Sequence, residues 1–95
     1  SVPGVRLQPD GSVTAPGMVT IRDLNRQFDW SLPDDKATTI GGLILYEARL
    51  IPDAGQTFEF FGFRFRILRR TGNRVGAVRI IPPGALQRAG GHALR

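Results

Sequence analysis

The stretch FEFFGFRFRILRR, residues 58–70, constrains the fold of this chain more than any other, because it sets five of the six phenylalanines among four arginines. From Phe63 to Ile67 apolar and charged residues alternate strictly. A period of two is that of a β-strand, whose successive side chains point to opposite faces. Gly62 marks a turn within the run, so the stretch reads as two strands of a hairpin. One face then carries Phe58, Phe60, Phe63, Phe65 and Ile67, and the other Glu59, Arg64 and Arg66. Two readings use these residues. The rings could stack on bases while the arginines neutralise phosphate, or they could be buried beneath helices with the arginines in water. Burying each ring contributes about 1.5–3 kcal/mol, and a chain of 95 residues has little stability to spare. Exposed rings would also leave the helices no apolar face to cover. The buried reading is therefore preferred, and nucleic acid is not the expected partner. Arg64, Arg66, Arg69, Arg70, Arg74 and Arg79 are expected to form a basic contact surface on the opposite face.

The rest of the chain supplies what such a sheet needs. Val5 and Leu7 alternate with polar neighbours ahead of PDGS at 9–12, a turn sequence, which predicts a short strand pair. Ile21, Leu24 and Phe28 are spaced by three and four behind Thr20, with Asp23 placed to complete a capping box, so a helix is expected over 21–28. DWSLPDDKA at 29–37 reads as a structured loop in which Trp30 and Leu32 fold back onto the core. Ile40, Leu43, Ile44 and Leu50 share a broad apolar face and predict a second helix over about 40–49, stopped by Pro52 and Gly55. TGN at 71–73 turns the chain into a last strand, RVGAVRII. The order is ββααβββ, and the expected fold is a two-layer α+β sandwich with two helices on one face of a small, mostly antiparallel sheet. Residues 1–81 form the expected domain. Residues 82–95, which open with two prolines and a glycine, read as a flexible or partner-docked tail.

Several chemistries drop out. With no cysteine and one histidine, His92, the chain offers neither a disulfide framework nor a zinc site. Tyr46, Ser31 and Thr57 have no activating base in the sequence, which favours a non-enzyme. No apolar run reaches the about 20 residues a membrane span requires. The missing signal peptide and initiator methionine suggest a soluble piece of something larger. A net charge of +5 favours a polyanionic partner. Two weaker constellations remain. Asp34, Asp35, Glu47 and Asp53 are hard oxygen ligands that could hold magnesium or calcium weakly, although they lack the EF-hand order. Thr39, Gly41 and Gly42 open the second helix, where backbone N–H groups could face an anion; glycines there equally allow a close approach of neighbouring chain.

The chain also resembles a known family. Ile21, Asp23, Leu24 and Asn25 match an I-x-D-L-N helix start, and Leu32, Pro33 and Asp34 an L-P-D motif. Thr39, Ile40, Gly42 and Leu43 follow as T-I-x-G-L, then Ile51-Pro52, Gly55, the G-F-R-F run at 62–65 and V-R-I at 78–80. Together these are similar to the CorC/HlyC transporter-associated domain over about residues 5–81. The resemblance implies the cytoplasmic C-terminal module of an integral membrane protein, following a transmembrane region and a pair of CBS domains. It also implies a link to magnesium and cobalt efflux or hemolysin-like proteins. The expected role is a non-catalytic accessory or regulatory part at the cytoplasmic face of the inner membrane. Expected contacts are the CBS pair, a second copy of the chain or anionic headgroups. The alternative is a sensor of a divalent cation, adenine nucleotide or flavin. The family's fold is grouped with flavin-binding domains, but no flavin fingerprint is present and FAD is read as fold analogy. The chain departs from the pattern at Thr38, where relatives often carry an acid, and at 48–52, which read A-R-L-I-P where many have L-G-R-I-P.

Overall fold

The computed structural model describes residues 2–85. Five strands, β1 (Arg6–Leu7), β2 (Val13–Pro16), β3 (Thr57–Phe60), β4 (Phe63–Thr71) and β5 (Arg74–Ile81), form one sheet in the order β1-β2-β5-β4-β3. Every pairing is antiparallel, where a mostly antiparallel sheet was expected. Two helices, α1 (Ile21–Phe28) and α2 (Ile40–Ala48), lie between β2 and β3 in sequence, so the ββααβββ order holds.

The alternation places the core as expected. Val13, Phe65, Val78 and Ile80 are fully buried, joined by Ile67 and Phe63, and face Ile21, Leu24, Ile40, Leu43 and Ile44 of the helices. Phe58 and Phe60 point the same way yet are only half-buried. They sit on β3, an edge strand, where the cover runs out. Their rings lie parallel with centroids 6.0 Å apart, and Phe60 abuts Phe65 at 6.2 Å. Phe61, half exposed, occupies the two-residue turn with Gly62; both have positive φ, as a tight antiparallel hairpin requires.

Both helices begin on a threonine whose side-chain oxygen accepts a backbone N–H of the first turn, from Asp23 at 3.1 Å and from Gly42 at 3.0 Å. The two starts are tied together, since Ile21 N–H donates to Thr38 and Ile40 N–H to Val19. The loop between the helices is ordered by Asn25. Its amide donates to the Leu32 carbonyl at 2.9 Å and accepts the Leu32 N–H at 3.0 Å, which seats Leu32 in the core. Trp30 folds back as expected, stacked on Phe28 at 4.9 Å and edge-on to Phe63 at 5.2 Å. Helix α2 ends on Arg49 at φ 60, the left-handed position that glycine usually takes, so the missing glycine of the A-R-L-I-P run is a real substitution at a C-cap.

Packing continues past the boundary expected at Ile81. A helical turn opens at Pro83, and Ala85 is buried. The remainder of the expected tail, residues 86–95, lies outside the described residues. Among the described residues no helix is long and apolar enough to cross a membrane.

Candidate functional site

The helices leave one face of the sheet open, and strand register decides what it presents. Residues paired across antiparallel strands share a face. Arg6 pairs with Thr14, Thr14 with Arg79, Arg79 with Arg66, and Arg66 with Thr57, so one row crosses all five strands and carries three arginines and no carboxylate. Arg79 and Arg66 stand directly opposite each other on β5 and β4. Like charges so placed oppose pairing. Arg79 is partly covered, and its Nε is buried without a hydrogen-bond partner. The acid that Arg79 influences is Asp10, in the β1–β2 turn. Two hydrogen bonds from Ser12, at 2.6 and 2.9 Å, chiefly hold the Asp10 carboxyl below its ordinary range, and the charge of Arg79 adds a smaller push in the same direction.

The six arginines expected on one surface thus divide. Arg66 and Arg79 lie in the open row. Arg64 is on the same face but its guanidinium is engaged by Glu59, at 2.9 and 3.2 Å. Arg70 bridges Asp53 at 2.8 Å near the end of the β4–β5 hairpin. Arg69 and Arg74 leave the row altogether and line a cleft on the helix side. Alternation alone assigns them there, since Arg69 stands two residues past buried Ile67 and Arg74 four before buried Val78. The pairing also shifts by one residue at Leu68 on β4 and back at Gly76 on β5, so the ladder is irregular beside the cleft. Arg6 belongs to the row and was not singled out in the sequence; its only signal was its place between Val5 and Leu7 in a two-residue strand.

The cleft has a volume of about 440 Å³ and lies where the β2–α1 loop, the start of α2 and the end of the β4–β5 hairpin meet. Thr39, Gly41 and Gly42 form its α2 wall. The expectation that the N–H groups of this turn face an anion is corrected. Ile40 N–H donates to Val19, Gly41 N–H to Gly17 at 2.8 Å, Gly42 N–H to the Thr39 hydroxyl and Leu43 N–H to the Thr39 carbonyl. All four are spent on the protein. The alternative reading of the glycines accounts for Gly41: a Cβ there would lie 2.9 Å from the Gly17 carbonyl oxygen, so the glycine admits close backbone contact.

The four acids weighed as a metal site do not come together. Asp34 lies 3.7 Å from Arg22, Asp53 is held by Arg70, Asp35 is exposed in the loop and Glu47 sits on the last turn of α2. Among the described residues no group of three or more His, Cys, Asp or Glu is close enough to hold a metal ion. The phenylalanines make no stacking platform either, since Phe65 is fully buried and Phe63 nearly so.

Known proteins share this architecture. The family model described as the transporter associated domain, CorC/HlyC, matches residues 6–84. The inner membrane protein YfjD of Escherichia coli is 36% identical over 75 residues, covering 79% of this chain and 18% of that protein. The magnesium and cobalt efflux protein CorC of Vibrio cholerae is 27% identical over 66 residues, covering 70% of this chain and 23% of that protein. A crystal structure of a conserved Haemophilus influenzae protein of unknown function superposes with a TM-score of 0.77 at 35% identity, over 82% of this chain and 96% of that one. The chain therefore spans about a fifth of the length of the curated relatives it matches, 18% and 23% for the two above.

Proposed function

The chain belongs to the CorC/HlyC family of transporter associated domains, which is not a catalytic family, and from that premise we propose that it is a non-catalytic accessory domain of a membrane ion transporter of the magnesium and cobalt efflux kind. It acts at the cytoplasmic face, and its open sheet face docks on an acidic surface of the same assembly. The observation that carries this reading is the row Arg6, Arg79 and Arg66. Three like charges crossing one uncovered face, one of them with an orphaned buried donor, cost the isolated domain stability. A surface of carboxylates or phosphates would reverse the sign of that cost, because charge-assisted hydrogen bonds to guanidinium are the stronger kind.

The test is made in the full-length transporter, with Arg6→Glu and Arg66→Glu separately and together, and Arg79→Gln to keep a neutral donor at the half-covered site. Reversing the two more exposed charges should lower cation efflux or loosen association of the domain with the rest of the protein, while thermal melting of the isolated domain moves little or rises. Efflux and association both unchanged in the double variant would remove this reading.

A further inference from the structure

The cleft beside α2 is separate from the arginine row and carries its own chemistry. Its volume, about 440 Å³, lies within the roughly 300–1,000 Å³ that small-molecule sites occupy. Arg69 and Arg74 line it, with the hydroxyls of Thr39 and Thr71, and no carboxylate is among the lining residues. The other two arginines of β4 near carboxylates have found them, Arg64 with Glu59 and Arg70 with Asp53. Among the described residues Arg69 and Arg74 form no ion pair; Arg69 donates only to the Gly76 carbonyl, at 3.3 Å. The remaining wall is apolar. Met18 is 79% exposed at the lip, and Leu45 and Val75 stand further in. Two unpaired cations over an apolar wall suit a ligand with one anionic end and an apolar body. The pairing is irregular here, with bulges at Leu68 and Gly76, and bulges are common beside sites.

We propose that this cleft binds a small organic anion, with its phosphate or carboxylate between Arg69 and Arg74 and its apolar part against Met18, Leu45 and Val75. The helix donors take no part, being already bonded, so recognition rests on the two guanidiniums and the apolar wall. The proposal does not depend on the docking role of the open row: the two use different arginines on different faces.

Amide chemical shifts of the chain report it directly, because Gly17, Gly41, Gly42 and Gly76 all line the cleft. Titrations with adenosine monophosphate, octanoate and inorganic phosphate separate a nucleotide source from a fatty-acid source and from bare anion binding. At least one organic anion is expected to shift these four glycines saturably, at least tenfold more tightly than inorganic phosphate. Arg69→Gln with Arg74→Gln should weaken it tenfold or more with the melting temperature retained, and Met18→Gln severalfold. Should the double arginine variant fail to fold, Met18→Gln and the ratio of organic anion to phosphate decide by themselves. No saturable shift at these glycines with either organic probe, inorganic phosphate binding as tightly as both, or binding indifferent to these substitutions would overturn the proposal.

Discussion

Gly17→Ala tests the packing that joins the sheet to the helices. Gly17 is not at a positive φ, so alanine meets no backbone strain there, and the whole effect is one of space. A Cβ at this position would lie 1.8 Å from the Val75 carbonyl oxygen. Real Cβ contacts essentially never fall below 3.0 Å, so the β2–α1 loop must retreat by at least about 1.2 Å, the difference between the two distances. Two bonds fix the loop in place: Gly17 N–H donates to Gly76 at 3.1 Å, and its carbonyl accepts Gly41 N–H at 2.8 Å. A retreat of that size stretches the first past hydrogen-bonding distance and strains the second. Each lost bond is worth about 0.5–1.5 kcal/mol net, and each buried group left bare costs about 1–3 kcal/mol. The expected loss is thus about 3 kcal/mol, which in a domain of this size lowers the melting temperature by roughly 12–24 °C. Thermal unfolding followed by circular dichroism measures it, with Gly84→Ala as control, where the added Cβ meets nothing within 4 Å. A Gly17→Ala melt within a few degrees of the parent would show that the loop is not clamped between β5 and α2 and would refute the reasoning.

Asn25→Ala removes both bonds to the Leu32 backbone and leaves that buried peptide pair unanswered, so a loss of about 2–3 kcal/mol is expected in urea unfolding; a change under about 0.5 kcal/mol would mean the helix–helix loop is held by other contacts. Asp10 has its carboxyl pKa depressed on folding, chiefly by Ser12, so its contribution is present above the unfolded value of 3.8 and is lost as pH falls through the lower folded value. The melting-temperature difference between the parent and Asp10→Asn should therefore shrink as pH is taken below that of a free carboxylate; a difference constant through acid would contradict the assignment.

Much of the architecture was legible because it is local. The alternation of Phe63, Phe65 and Ile67 fixed a strand and its buried face, Thr20 marked the first helix start as its cap and the apolar spacing from Ile40 marked the second, since a cap and a period of two or 3.6 are properties of neighbouring positions. Position in the sheet is not local, and the edge location of β3 left Phe58 and Phe60 half-covered although their alternation is as regular as that of β4. The acids at 34, 35, 47 and 53 looked close in sequence, but a helix and two loops point them to different neighbours.

The sequence by itself determined which residues turn inward, where the chain reverses and that an excess of guanidinium groups must face outward. Only the tertiary structure decided their grouping. Pairing of β2 with β5 brings Arg6 into line with Arg79 and Arg66 across some sixty to seventy intervening residues, and the meeting of the β4–β5 hairpin with α2 gathers Arg69 and Arg74 in the cleft instead. Such pairings are chosen by how whole faces pack against each other, a long-range balance that no short window of side chains encodes.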